Sequence, residues 1–109
     1  MIEITSKEQL EKEISENDAI LLYFSGENCS VCKVLKPKIE EEVLKNFPEF
    51  RLYEIKTDIY KELTSQFTVF SIPTTIIYFE KKEFKRYGRN MSIPLFLDEI
   101  KRPYELMCE

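Results

Sequence analysis

Hydrophobic residues in the first half of this chain follow two different patterns. Residues 19–24 form a continuous apolar run, which is typical of a strand buried on both faces. From residue 34 to residue 47 apolar side chains recur at helical spacing. This pattern predicts a long helix that begins near Cys29, contains Pro37 and is closed by Pro48. The first half is therefore built around one buried strand followed by one long helix.

Further elements are predicted on both sides of this pair. Capping residues and apolar spacing predict a helix from Thr5 or Ser6 to Asn17, a short helix from Asp58 to Phe67, and a helix from Ser92 to Pro103. Runs rich in β-branched and aromatic residues predict strands at 50–55, 74–79 and 84–87. Residues 80–83 form a polar turn, and residues 104–109 a short tail.

The predicted element order is β-α-β-α-β-α-β-β-α, in which a first strand without an assigned range precedes the helix that starts at Thr5 or Ser6. Helices that alternate with strands imply parallel crossovers, and two strands in succession imply a hairpin. The fold class is therefore α/β, a three-layer α/β/α sandwich with a mixed parallel and antiparallel sheet. The chain shows no internal repeat, low-complexity tract or linker-like break in composition, so residues 1–109 are predicted to form a single domain.

Charge and hydropathy limit which partners the protein is expected to bind and where in the cell it is expected to be. No apolar run approaches the roughly 20 residues of a membrane-spanning helix, so no membrane partner is expected. The N-terminal residues do not resemble a secretory signal, and a cytoplasmic location is the default. With a net charge of −4, the chain lacks the basic field that nucleic acids require. Its basic cluster is interpreted as a solvated edge strand and turn: Lys81, Lys82, Lys85, Arg86 and Arg89.

Three cysteines and no histidine restrict the chemistry further. Without histidine, Ser-His and Cys-His hydrolase mechanisms and histidine metal sites are excluded. An odd number of cysteines in a reducing compartment argues against a structural disulfide framework and favours a catalytic or metal role for a close pair. Cys108, near a polar terminus, is interpreted as an incidental free thiol.

The motif Cys29-Ser30-Val31-Cys32 lies where a buried strand passes into a helix, the place where open α/β sheets carry their sites. The free N–H groups of a helix N-terminus stabilise a thiolate, so the pKa of the Cys29 thiol is expected to fall below that of an ordinary cysteine. Cys32 lies one turn further on, with a Cα separation of about 5 Å that a disulfide tolerates. Cys29 is therefore the predicted nucleophile and Cys32 the resolving thiol.

Two other interpretations of the pair stay open at this point. By random placement, a CxxC spacing arises in about one chain in twenty of this composition. The pair is then either two small buried hydrophobic residues or half of a zinc site. A zinc site has only Cys108 as a further thiolate.

Three segments together resemble the thioredoxin family. They are the stretch from Ile20 to Pro37 with its cysteine pair, the segment Ser71-Ile72-Pro73-Thr74, and Gly88 after the last strand. The resemblance implies a thioredoxin-like fold and a dithiol–disulfide oxidoreductase that reduces protein disulfides without a metal or organic cofactor. It also implies a flavin-dependent reductase as electron donor, and we expect a monomer.

The family resemblance also implies a substrate surface. Ile72–Pro73 would be a cis peptide facing the cysteines, with the Ile72 backbone free to pair with an extended substrate strand. Val31, Phe70 and Ile72 would surround the sulfurs with apolar surface beside Gly88. The alternative for Pro73 is a trans proline at the start of a strand, and for the apolar residues, above all Phe70, ordinary packing among loops.

The surroundings of the pair depart from the family pattern. Asn28 replaces the usual tryptophan, Tyr23 the usual buried aspartate, and Glu54 the usual lysine partner of that aspartate. We therefore expect a Tyr23 hydroxyl paired with the Glu54 carboxylate. Our hypothesis is that a partly buried Glu54 with a raised pKa accepts the proton of Cys32. In the alternative, Glu54 is solvated and no dedicated base exists. Lys33 would increase the thiolate population, or is simply solvated.

Two alternative functions follow from the same residues. An exported oxidase or isomerase would use the pair in the opposite direction. A non-enzymatic binding module would use the groove beside Pro73 and carry the cysteines as vestiges. The presence of both cysteines together with Pro73 favours the enzyme.

Overall fold

A computed structural model describes residues 1–108 and has the predicted element order. The strands are β1 (Ile2–Glu3), β2 (Ala19–Ser25), β3 (Arg51–Lys56), β4 (Thr74–Phe79) and β5 (Lys82–Tyr87). The helices are α1 (Lys7–Glu16), α2 (Ser30–Asn46), α3 (Lys61–Gln66) and α4 (Ile93–Met107). Within residues 1–108, none of these helices combines the length and apolarity that crossing a membrane requires.

The five strands form one mixed sheet in the order β1-β3-β2-β4-β5. β3 runs parallel to β1 and β2, whereas β4 runs antiparallel to β2 and β5. All seven residues of β2 are buried, as the continuous apolar run predicts. The register places Tyr23 of β2 directly beside Glu54 on one side and Thr75 on the other. The predicted α/β fold with a mixed sheet is confirmed.

Each face of the sheet carries its own hydrophobic core, because alternate residues of a strand point to opposite faces. On one face, Leu21 and Tyr23 pack with residues of α2 and α4 and with both cysteines of the pair. On the other face, Ile20, Leu22 and Phe24 pack with residues of α1 and α3. The sheet is therefore the middle layer of three, and the cysteine pair belongs to the α2/α4 side.

The C-terminal helix extends further than predicted. Pro103 was expected to end it, but α4 continues through Pro103 to Met107. The continuation is explained by Tyr104, which is buried, stacks on the ring of Phe50 at 5.8 Å and accepts a hydrogen bond from Glu49 N at 3.0 Å. This packing outweighs the cost of one missing backbone hydrogen bond.

Two turns also differ from the prediction. Asp58 does not cap α3, because the backbone after β3 closes on Lys56: the N–H groups of Ile59 and Tyr60 both donate to the Lys56 carbonyl. The N-cap is Tyr60, and α3 starts two residues later than predicted. The β4–β5 turn is shorter than predicted and consists of Glu80 and Lys81, both with positive φ. Such a turn usually carries Asn-Gly, so the sequence holds no signal for it.

The basic cluster lies on this hairpin and the loop after it, at the edge of the sheet. Arg86 forms an ion pair with Glu83 of the same strand, and Lys85 forms one with Glu99 of α4.

Both predicted helix caps that act through serine are confirmed. Ser6 accepts from Gln9 N at 3.0 Å, and Ser92 accepts from Leu95 N at 3.3 Å.

Candidate active site

The cysteine pair lies at the end of the central strand, where the chain turns into α2. Cys29 is the N-cap of this helix, and its Sγ accepts a hydrogen bond from Cys32 N at 3.1 Å. Sulfur thus takes the place of the oxygen that usually caps a helix, and it faces the free N–H groups of the first turn. This is the position that the sequence predicts for a stabilised thiolate.

Cys29 and Cys32 are joined by a disulfide with a Cα–Cα separation of 5.3 Å. This separation agrees with the predicted spacing and lies within the normal range for disulfides. Cys29 is 6% exposed and Cys32 is 2% exposed, so Cys29 is the more accessible of the two. The geometry brings the two residues together as a redox couple in its oxidised state.

The third cysteine lies elsewhere. Cys108 is an exposed free thiol after the end of α4. It shares a groove with Asp18 and Ala19, at the start of β2, whereas the pair follows the end of that strand. Among residues 1–108, no three Cys, Asp or Glu side chains are grouped so that they could hold a metal ion. The thiolate that a zinc site would have required is therefore not beside the pair.

Tyr23 supports the first turn of α2 from below. Its side chain is fully buried, and its hydroxyl donates to the Cys32 carbonyl at 2.7 Å. The expected pairing of this hydroxyl with Glu54 is wrong, because the backbone of α2 provides the acceptor instead. Burial, followed by the charge of Glu54, raises the pKa of Tyr23, so the hydroxyl stays neutral and keeps its donor role.

Glu54 is held by two partners that sequence reasoning missed. Its carboxylate accepts hydrogen bonds from Ser25 Oγ at 2.7 Å and from Lys36 Nζ at 2.8 Å. Burial acts to raise the pKa of Glu54, but the hydrogen bonds from Lys36 and Ser25 and the charges of Lys36 and Lys56 outweigh it. The pKa of Glu54 is therefore lowered, and the predicted raised pKa is wrong. Lys36 lies one helical turn after Cys32 and so shares its face of α2, but no local signal in the sequence indicates that it pairs with Glu54 on β3.

A cleft of about 470 Å³, lined largely by charged residues, opens beside the resolving cysteine. Cys32 lines it together with the Lys36–Glu54 pair, and Lys33 is an exposed residue at its edge. Lys33 is thus near Cys32, and its effect on the thiolate population stays a prediction. Although Cys32 is almost fully buried, the groups beside it on this side are charged.

The loop before β4 packs against the loop that carries the cysteines. The Ile72–Pro73 peptide bond is cis. Ile72 and Val31 pack against the core cluster that contains both cysteines. A Cβ atom on Gly26 would lie only 2.6 Å from Ile72 Cδ1, so any larger residue at position 26 would force the Ile72 side chain to shift. Gly26 is a positioning residue that the sequence analysis did not single out, although it is one of only 2 glycines.

Phe70 and Gly88 lie together on the outer side of this loop. They line a shallow groove of about 240 Å³ with Val69, Thr74, Arg86 and Tyr87. Phe70 is 87% exposed, so ordinary packing among loops does not describe it. Phe70 therefore leaves a large apolar ring in solvent two residues before Ile72, where it is available for contact with a partner.

Known proteins match the chain in sequence and in structure. The Thioredoxin family model matches residues 1–100, which include the cysteine pair, the Ile72–Pro73 loop and Gly88. The thioredoxin-like protein YdfQ of Bacillus subtilis is 29% identical over 97 residues, 89% of this chain and 86% of that protein. The thioredoxin of Mycoplasmoides gallisepticum is 33% identical over 89 residues, 81% of this chain and 88% of that protein. The solved Fasciola hepatica thioredoxin superposes with a TM-score of 0.79 at 26% identity, covering 95% of this chain and 99% of that one.

Proposed function

The chain belongs to the thioredoxin family and is a thiol–disulfide oxidoreductase, and from this premise we propose that it reduces disulfides in protein substrates, with Cys29 as the nucleophile and Cys32 as the resolving thiol. The observation that carries the proposal is the disulfide at the N-terminus of α2, in which Cys29 caps the helix and is the more exposed residue of the two. A thiolate at a helix N-terminus attacks disulfides, and a buried partner three residues on completes the exchange.

The reaction consists of two thiol–disulfide exchanges. The Cys29 thiolate attacks one sulfur of the substrate disulfide, which forms a mixed disulfide and releases the other substrate sulfur as a thiolate. The Cys32 thiolate then attacks Cys29 Sγ, which forms the Cys29–Cys32 disulfide and releases the second substrate sulfur. Two electrons pass from the cysteine pair to the substrate, and the released thiolates take up protons from solvent. The Cys29–Cys32 disulfide in the structure is therefore the form of the protein that remains after both exchange steps.

The substrate in this proposal is an extended or flexible protein segment. It lies over the loop at Ile72–Pro73, where the Ile72 backbone pairs with it as an added strand. Val31 and Ile72 contact it close to the sulfurs, while Phe70 and Gly88 receive its apolar side chains in the shallow groove. The exposure of Phe70 supports this assignment.

The electron donor in this proposal is a flavin-dependent reductase, and no metal or organic cofactor takes part. A relative from Mycobacterium leprae, 28% identical over 85 residues, is a bifunctional thioredoxin reductase/thioredoxin. A donor of this kind requires a reducing compartment, so we place the protein in the cytoplasm. We propose further that it acts as a monomer and binds neither membranes nor nucleic acid.

A trapping experiment with Cys32→Ser tests the proposal. Without the resolving thiol, the mixed disulfide between Cys29 and the substrate persists. We expect covalent adducts with cellular proteins that dithiothreitol releases, and none from a Cys29→Ser/Cys32→Ser variant. Cys108→Ser is the matched control, and it should leave adduct formation unchanged. Absence of adducts, together with absence of insulin disulfide reduction by the wild type, would show that the chain is a binding module.

The direction of transfer is tested separately by the reduction potential. A reductant of protein disulfides has a reduction potential of about −270 mV, whereas a strong oxidant has one of about −120 mV. We expect the Cys29–Cys32 couple to equilibrate in the lower part of this range. A potential at its oxidising end would assign the protein to disulfide formation instead.

A further inference from the structure

One buried hydroxyl on the active-site side of the sheet has no hydrogen-bond partner. Thr75 on β4 is 1% exposed, and its Oγ1 is the one fully buried side-chain oxygen or nitrogen in residues 1–108 for which the structure shows no partner. A buried polar atom without a partner is costly and rare in native proteins, so each case calls for an explanation.

The position of Thr75 connects it to the cysteine pair. It follows Pro73 by two residues and lies directly opposite Tyr23 in the β2–β4 ladder. Residues opposite each other in an antiparallel pair present their side chains to the same face, with Cβ atoms about 4.5–5.5 Å apart. Thr75 therefore lies beside Tyr23, whose own hydroxyl reaches the first turn of α2 at Cys32.

The neighbouring hydroxyls are already engaged with other groups. Tyr23 donates to the Cys32 carbonyl, and Tyr87, the other cross-strand neighbour of Thr75, donates to Glu99. Tyr104 accepts from Glu49 N. Glu54, the buried polar neighbour of Tyr23 on β3, is held by Ser25 and Lys36. Among the buried members of the hydrophobic cluster, the polar side-chain atoms that remain are the sulfurs of Cys29 and Cys32.

We propose that Thr75 Oγ1 donates a hydrogen bond to Cys32 Sγ once the disulfide is opened. In the disulfide, Cys32 Sγ is a weak neutral acceptor. When two electrons reduce the bond, Cys32 becomes a thiol or a thiolate, and a thiolate is a far stronger, charge-assisted acceptor. The hydrogen bond forms without any transfer of the Thr75 proton. Thr75 is in this sense a positioning residue that recognises the reduced state of the resolving cysteine.

This role has two consequences for the redox couple. The hydroxyl lacks a partner only in the oxidised form, so Thr75 favours reduction and raises the reduction potential. It also stabilises the Cys32 thiolate that attacks the mixed disulfide. The inference deepens the proposed function, since it rests on the Cys29–Cys32 couple, but it holds whichever direction the protein works in.

The test compares Thr75→Val with Thr75→Ser. Valine keeps the shape of threonine without the hydroxyl, whereas serine keeps the hydroxyl. We expect the equilibrium constant for reduction, measured against a glutathione redox buffer, to fall about tenfold in Thr75→Val, which corresponds to about 30 mV. Thr75→Ser should stay within about twofold of the wild type. Thr75→Ala gives a second hydroxyl-free variant that should show the same fall if valine disturbs the sheet.

Thr64→Val serves as the matched control. Thr64 is equally a buried threonine, but it lies on α3 at the opposite face of the sheet, and its hydroxyl donates to the Tyr60 carbonyl at 2.8 Å. This variant should lose stability without a change in potential. The proposal is overturned if Thr75→Val and Thr75→Ala keep the wild-type potential, or if Thr75→Ser shifts it as far as they do. The measurement needs no protein substrate, so its outcome is independent of the trapping experiment.

Discussion

Lys36 of α2 and Glu54 of β3 form an ion pair across 2.8 Å, in the same cleft that Cys32 lines. The resemblance to thioredoxins leads one to expect a buried aspartate on β2 with a lysine partner on β3. Here the carboxylate has moved to β3 and the ammonium to α2, while β2 contributes the Tyr23 hydroxyl. The charges consequently lie at the solvent side of the resolving cysteine, and uncharged hydroxyls lie beneath it.

The lowered pKa of Glu54 predicts how stability depends on pH. Folding lowers the pKa below its ordinary value of 4.5, so the unfolded chain binds a proton more readily than the folded one. The stabilisation is complete above this value and is lost as the pH falls through the lowered pKa. We expect Glu54→Gln to cost about 1–2 kcal/mol at pH 7, and the difference from the wild type to shrink toward pH 3. Urea unfolding at each pH measures it.

Glu41→Gln is the control for this measurement, because Glu41 is an exposed residue of α2. Its unfolding curves should follow those of the wild type throughout. If the free energies of unfolding of Glu54→Gln and the wild type differed by the same amount at every pH, the ion pair would not be the cause of the difference.

The same ion pair predicts that Glu54 does not set the pH dependence of catalysis. A carboxylate with a lowered pKa is a weak base and does not titrate between pH 6 and 9, where thiols do. The double variant Lys36→Met/Glu54→Gln removes both charges and leaves the net charge of the cleft unchanged. We expect its rate of insulin disulfide reduction to follow the wild-type pH profile within about twofold. Loss of one limb of that profile would restore the hypothesis that Glu54 accepts the Cys32 proton.

The sequence predicted those features that depend on local patterns. The spacing of apolar residues predicts the buried strand β2 and the helix after it, and Cys29 lies where the two meet. The caps Ser6 and Ser92 follow from side chains that can reach the backbone within one turn. Each of these needs only a few neighbouring residues, so a single sequence is sufficient.

The features that were missed depend on contacts between distant parts of the chain. Lys36 and Glu54 are 18 residues apart, and their pairing reverses the direction of the pKa shift expected for Glu54. Gly26 matters because of Ile72, which belongs to a different loop. Such contacts are fixed by the packing of α2 on the sheet, and no local period in the sequence reports them.

Phe70 provides a prediction about substrate choice. Its ring is 87% exposed, so Phe70→Ser should change the free energy of unfolding by no more than about 0.5 kcal/mol. If the ring contacts protein substrates, kcat/KM for insulin should fall about tenfold, whereas kcat/KM for a small aromatic disulfide should change less than twofold. Leu106→Ser, a half-exposed position at the far end of α4, is the control and should alter neither value. Equal losses on both substrates would place Phe70 outside the docking surface.

The continuation of α4 through Pro103 makes a prediction about stability. Proline has no N–H group, so the Glu99 carbonyl one turn earlier loses its helical partner at this position. Pro103→Ala restores the donor, and we expect it to stabilise the oxidised protein by about 1–2 kcal/mol, since the gain in the helix exceeds the added entropy of the unfolded chain. Denaturant unfolding measures the change.

Pro94→Ala is the matched control, because a proline in the first turn interrupts no hydrogen bond, and it should change stability by less than about 0.5 kcal/mol. A Pro103→Ala variant no more stable than the wild type would mean that the helix ends before residue 103 in solution and that Tyr104 is held by its ring contacts alone.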